Sequence, residues 1–208
     1  MKSIDDFVAQ LRKQKNTDTV KNPYRHKVLA ENLSAYLCAM RRSWARQKCR
    51  RVLMVGEAPG YKGCMLTGVP FSSGRIYQDI HHPFLTLLKT QLTLTSNESE
   101  NTASIVWRYL AESEQLPLFW NAFPFHPHVI NNAQSNRAPT RAEVLQGKEY
   151  LQSLQHIFKP EVIVGVGQKG THSARVAFPD QSVFSVRHPS FGGKKKFVHG
   201  MNVIFKLA

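Results

Sequence analysis

Three polar residues stand at or just beyond the ends of short apolar runs: Glu57 after Val52–Val55 and Gly56, Asn121 after Leu118–Trp120, and His188 after Val183–Val186. A carboxylate can hold or activate a water. A carboxamide offers a donor and an acceptor side by side, and an imidazole can donate toward a developing negative charge. Continuous apolar runs closed by glycine or polar residues read as strands buried on both faces. In an open parallel sheet the carboxyl ends of such strands lie along one edge, where ligand sites form. The three groups are therefore expected together although they are far apart in sequence. Glu57 is the only acid between Arg51 and Gln78. Pro59 stiffens the backbone around it by fixing its own φ and biasing Ala58 away from the helical region. Phe71, after Pro70, is either a core anchor or an exposed stacking ring.

Glycine spacing offers two further readings. Gly56, Gly60 and Gly63 do not form GxGxxG, and Pro59 interrupts them. GVGQKG at 165–170 lacks the GxxxxGK[ST] pattern and reads as a tight strand-to-helix turn. Its amides and Lys169 could still meet a backbone phosphate.

The elements that must position these groups follow from periodicity. Residues 1–47 read as basic and helical. Ile4, Phe7, Val8 and Leu11 form one apolar stripe, and a second helix begins at Pro23. Ile76–Leu92 reads as a helix in which Pro83 lies in the first turns or makes a break. Residues 93–102 read as a polar surface connection, and Ile105–Leu110 as a short helix. The stretch 121–140 carries three prolines, four asparagines and two histidines in 20 residues, and reads as a long irregular connection. Connections beyond roughly 12–15 residues are more often functional than idle. Thr140 and Glu143 form a capping box that opens a helix over 141–158. Glu161–Val166 is a third strand, followed by a helix near His172–Val176, and Met201–Ala208 reads as a strand or short helix. Strand, loop and helix recur about four times. The expected fold is a three-layer α/β/α sandwich with a four-stranded, mostly parallel sheet in one domain spanning 1–208.

Twenty-eight Lys and Arg against 14 acids give a net charge of +14, which favours a polyanionic partner, nucleic acid before membrane. No apolar run approaches the roughly 20 residues that cross a bilayer. The amino terminus has no apolar signal segment, so an intracellular, cytoplasmic protein is expected, nucleoid-associated if prokaryotic. Cys38, Cys49 and Cys64 are odd in number and include no CxxC pair, which excludes a disulfide framework and a four-cysteine cluster within one chain. A basic α/β chain with a small polar pocket could act on an extruded nucleotide, since chemistry on a base requires taking it out of the stack. In SFGGKKKF, Phe191 is a candidate wedge, and Lys194, Lys195 and Lys196 could reach phosphates.

These motifs resemble the uracil-DNA glycosylase superfamily over about residues 50–208. GEAPG at 56–60 is similar to the first motif of the thermophilic iron–sulfur branch. TGVPF at 67–71 resembles the equivalent piece of the single-strand-selective monofunctional branch. NAFPFHP at 121–127 takes the place of the asparagine strand, and HPS at 188–190 resembles the second motif.

The resemblance implies that Phe71 stacks on a flipped uracil and that Asn121 hydrogen-bonds its polar edge. Glu57 would position or activate water, and His188 would donate toward the uracil oxygen. Gly56, Ala58 and Tyr61 would complete the base-binding set. Ser190, Phe191, Lys194, Lys195, Lys196 and Lys169 would meet DNA. The implied protein is a monomeric, monofunctional DNA glycosylase without metal, other cofactor or lyase activity. The chain also departs from the family. The cluster cysteines are missing, Ala58 replaces an aspartate, and Gly60 replaces the tyrosine that excludes the thymine methyl. HPS is followed by Phe-Gly-Gly where Pro-Leu is common. Hypoxanthine, xanthine or mispaired thymine is the alternative substrate class, and a non-catalytic DNA-binding module is the alternative function.

Overall fold

The computed structural model describes residues 3–207. Helix α1 (Ile4–Lys13) is capped by Ser3, whose hydroxyl accepts from the Asp6 amide, and it buries Ile4, Phe7, Val8 and Leu11. A two-residue strand β1 (Val20–Lys21) and a 3-10 turn at Pro23–Arg25 separate it from α2 (Lys27–Arg46), so the second helix starts four residues after Pro23. Strand β2 (Val52–Gly56) is buried throughout and leads into a loop that holds the short α3 (Cys64–Thr67).

The run Ile76–Leu92 forms two helices, α4 (Ile76–Asp79) and α5 (Pro83–Lys89). Pro83 cannot donate a helical hydrogen bond. It occupies the first turn of α5, where His82 Nδ1 caps the Phe84 amide at 3.0 Å. Helix α6 (Asn101–Leu110) starts earlier than its apolar stripe, because Glu100 accepts from the amides of Thr102 and Ala103. Next come β3 (Leu118–Asn121) and β4 (His126–Pro127), the latter pairing antiparallel with β1 inside the connection read as irregular. The Thr140–Glu143 capping box opens α7 (Arg141–Phe158). Strand β5 (Val162–Val166) runs straight into α8 (Gly167–Ala177), so the GVGQKG segment already contains the first helical turn. After β6 (Val183–Val186), the expected carboxyl-terminal strand or short helix is a 14-residue helix, α9 (Lys194–Leu207); Ala208 lies outside the described residues.

The central sheet has the order β3–β2–β5–β6, and every pairing in it is parallel. Helices flank it as an α/β/α sandwich. Parallel strands covered on both faces are apolar along their whole length, which is the pattern of β2, β3 and β5. Alternation on β3 sends Trp120 toward Phe7 and Tyr24 on one face and Phe119 toward Phe71 and Trp107 on the other. As an edge strand, β3 exposes backbone groups that would pair with another chain. Tyr36 of α2 covers them: its hydroxyl receives the Phe119 amide at 2.8 Å and donates to the Phe119 carbonyl at 3.4 Å. Among the described residues, no helix is long and apolar enough to cross a membrane.

Candidate active site

The register of the sheet creates the site. Gly56 and Asn121 are paired neighbours at the ends of β2 and β3. The parallel ladder continues one step further, with the Ala122 amide donating to Gly56 O at 2.9 Å and the Phe123 amide to Glu57 O at 3.0 Å. Glu57 is thus held through its own carbonyl as well as by the stiffness of Pro59. Beyond these ends opens a cavity of about 210 Å3. That is below the roughly 300–1,000 Å3 of drug-sized pockets and suits one small ring system. Gly56, Glu57, Ala58, Phe71, Asn121 and His188 all line it.

Phe71 reaches the cavity through a left-handed backbone, φ 54°. Such a conformation costs a bulky residue about 1–3 kcal/mol and persists where neighbours over-determine it. Here the Trp107 indole donates to Phe71 O at 2.9 Å, and the ring stacks on Phe119 with centroids 5.1 Å apart. Gly56 is required beneath it. A Cβ there would lie 2.7 Å from Phe71 Cζ and 2.8 Å from Asn121 Oδ1. Asn121 is 6% exposed, and no protein group among the described residues hydrogen-bonds its side-chain amide. The carboxamide opens onto the cavity, where its donor and acceptor are available to a ligand.

His188 has its tautomer set by a backbone group. The Ser190 amide donates to Nδ1 at 3.3 Å, so Nδ1 must be the acceptor and the neutral ring carries its proton on Nε2. Burial pushes the His188 pKa below its ordinary value. Glu100 opposes this, Arg187 adds to it, and Glu57 opposes it more weakly. The ring is therefore neutral at neutral pH and presents one N–H.

The two acids lining the cavity differ in commitment. Glu100 spends both carboxylate oxygens on the α6 cap, at 3.0 and 2.7 Å. Glu57 Oε1 lies 3.0 Å from Lys169 Nζ, an ion pair by distance whose angle does not make a hydrogen bond. Cys64 also lines the cavity, but burial pushes its thiol up to about 12, so it is protonated and a poor nucleophile at neutral pH.

Other expected site residues lie elsewhere. Tyr61 does not line the cavity; its backbone amide donates to Asn136 Oδ1 at 3.3 Å, and the Lys62 ammonium sits 5.8 Å from its ring centroid. Asn136 stands opposite Gly60 and helps form the wall. Ser190 is buried, and its hydroxyl is 3.0 Å from that of Thr102. Phe191 is 91% exposed in a left-handed conformation, φ 53°, at the tip of the turn leading to α9. That turn is tight, since a Cβ on Gly193 would sit 1.9 Å from His188 O. Lys194, Lys195 and Lys196 are exposed in the first turn of α9 with no acid among them, against the preference of a helix amino terminus for negative charge. Glu100, Asn136, Arg137 and Thr102 also line the cavity and were not singled out from sequence. Only the Glu100 cap before an apolar stripe offered a local signal. Arg137 is engaged by Glu143 in a two-pronged pair at 2.7 Å and by three backbone carbonyls.

The sequence matches the Uracil DNA glycosylase superfamily over residues 47–201, and the chain belongs to that superfamily. The crystal structure of wild-type SMUG2 from Pedobacter heparinus superposes with a TM-score of 0.63 at 14% identity, covering 100% of this chain and 98% of that one. A search of curated proteins found no match.

Proposed function

We propose that this chain is a monofunctional DNA glycosylase that hydrolyses the N-glycosidic bond of uracil in DNA and leaves an abasic site. The observation that carries this reading is the Asn121 carboxamide facing the cavity beside the Phe71 ring, with His188 and Glu57 on the same wall. A flipped uracil stacks on Phe71, and Asn121 supplies the donor and acceptor that its polar edge requires. As the bond lengthens, negative charge grows on the base and positive charge on the sugar. His188 Nε2–H faces the first as a neutral donor, and Glu57 favours the second while holding the attacking water. A preorganised donor of this kind contributes roughly 10²–10³-fold in rate.

Exposed Phe191 enters the stack where the base has left, and Lys169 and Lys194–Lys196 meet phosphates. The protein works as a monomer on DNA in the cytoplasm or nucleoid. The wall at residue 60 supports a wider base range. A Cβ on Gly60 would meet nothing nearer than Asn136 Oδ1 at 3.8 Å, which leaves room for hypoxanthine, xanthine or the thymine methyl. The test is incubation with matched oligonucleotides carrying uracil, hypoxanthine, xanthine or thymine opposite guanine, and uracil in single strands, followed by alkali. Strand scission at uracil is expected. Binding without scission on any of them would leave a non-catalytic DNA-binding module.

A further inference from the structure

Beside the reaction cavity lies a larger groove of about 690 Å3, and Glu57 lines both. It runs between the first turns of α7 and α8. Strand β5 separates these helices in the chain, so the amino ends of both reach the carboxyl edge of the sheet. Pro139, Val144, Leu145 and Val176 give the groove an apolar lining, and Leu145 is 51% exposed. Arg141, Lys169 and His172, all exposed, stand around it. Among the described residues that line it, Glu57 is the one acid, and it already faces Lys169 at 3.0 Å. Glu143, in the first turn of α7, is held by Arg137 at 2.7 Å. Ser173 also lines the groove. It is 6% exposed, and its hydroxyl makes no hydrogen bond to a described protein group.

An apolar lining inside a basic surround, with no free acid, suits a ligand that joins a flat apolar body to an anion. A nucleotide of a single strand is such a ligand. The amino ends of two helices add partial positive charge on either side. Covalent continuity selects the nucleotide. One extruded into the cavity stays tied through its own phosphates to its neighbours, which therefore lie within one sugar–phosphate unit of the cavity mouth. The groove begins at that mouth, at Glu57.

We propose that the groove between α7 and α8 is a subsite for the nucleotide adjoining the extruded one, taken with its base out of the stack. The base lies against Val144, Leu145 and Val176. Arg141 and Lys169 meet the phosphates on either side of it, and the Ser173 hydroxyl offers a hydrogen bond. A volume of about 690 Å3, against about 210 Å3 for the reaction cavity, leaves room for a sugar as well as a base. A base still paired in a duplex does not reach the groove, which therefore serves single strands and locally opened duplex. The proposal rests on the glycosylase reading, which supplies the extruded neighbour.

The test uses the full chain and a single-stranded oligonucleotide carrying one 2′-fluoro-2′-deoxyuridine, whose fluorine opposes the positive charge that cleavage develops on the sugar. 2-Aminopurine stands on its 5′ side in one oligonucleotide and on its 3′ side in another. Binding should change the emission of one of them, and so show which neighbour the groove takes. Leu145→Ser, at a half-exposed position, should abolish that change and weaken binding about tenfold without altering its salt dependence. Arg141→Gln should reduce the slope of log K against log salt by about 0.7, the worth of one phosphate contact on a single strand. Melting temperatures establish that both variants fold. Binding and emission in Leu145→Ser equal to those of the wild type would overturn the proposal. So would self-association that Leu145→Ser abolishes while DNA binding stays unmoved, which would give the groove to a second copy of the chain. Release of uracil from an ordinary deoxyuridine oligonucleotide is measured separately. Leu145-dependent emission without release would sink the glycosylase reading and leave a site for single-stranded DNA; release without Leu145-dependent emission would sink the subsite alone.

Discussion

Lys169 Nζ lies 3.0 Å from Glu57 Oε1, so the carboxylate at the cavity that caps no helix faces a lysine from the first turn of α8. Lys169 is 63% exposed, and a pair of that kind contributes less than about 1 kcal/mol. A DNA phosphate can therefore draw the ammonium away. Lys169→Met is expected to lower affinity for DNA and to reduce the slope of log K against log salt by about one. The chemical step should change less than KM. Binding titrations over a range of salt, alongside single-turnover rates, measure both.

Gly56 has no room for a side chain beneath the cavity. Gly56→Ala drives a methyl into Phe71 or Asn121, at 2.7 and 2.8 Å, and one of them must move. Overpacking of this kind costs about 1–3 kcal/mol, while a displaced base-reading group should cost far more in rate than in stability. Thermal unfolding and base-release kinetics on the same preparation separate the two effects. Equal, small losses in both would argue that Asn121 and Phe71 do not form the base site.

Acid should weaken the fold. Burial lowers the pKa values of His82, His126 and His188, so the unfolded chain binds more protons than the folded one below the ordinary histidine value of about 6.5. The stability these groups contribute is complete above that value and is lost as pH falls through their folded values. The Glu143 carboxylate is held below its usual range although burial pushes it up, because Arg137 and Thr140 outweigh burial; its contribution is lost at still lower pH. Melting temperature followed from pH 8 downward should fall in this order, on the ordinary scale of these groups. Base release should decline over the histidine limb as well, since a proton on His188 Nδ1 breaks the contact with the Ser190 amide.

Phe191 separates folding from function. With the ring 91% exposed, Phe191→Ala should shift stability by no more than about 0.5 kcal/mol. Removal of a wedge should slow reaction on duplex DNA and leave a single-stranded substrate nearly unaffected, because only the duplex has a vacancy to fill. Parallel assays on the two strand states decide this.

Features governed by nearby residues were legible in the sequence. The strands announced themselves as apolar runs, and the Thr140–Glu143 capping box marked the start of α7 because both partners lie in one turn. The class of fold followed from their alternation. The start of α9 at Lys194 was hidden, because two glycines and three lysines read as loop. The left-handed Gly192 and the close approach of Gly193 to His188 O show that the glycines make a tight turn into a helix. Asn136 and Arg137 could not be found from local pattern, since their place at the cavity depends on the path of a long connection through space. Tyr61 shows the converse. It adjoins the loop motif in sequence, yet its backbone binds Asn136 and its side chain does not line the cavity.

The central claim is that one cavity reads a single extruded base through Asn121. Its most direct test is the single-turnover rate of base release from a uracil–guanine duplex by the wild type and by Asn121→Asp, with DNA affinity measured for both. Release by the wild type is expected, with a loss of roughly 10²–10³-fold in the variant at unchanged affinity. Equal rates for the two proteins, or no release by the wild type under conditions where it binds, would contradict it.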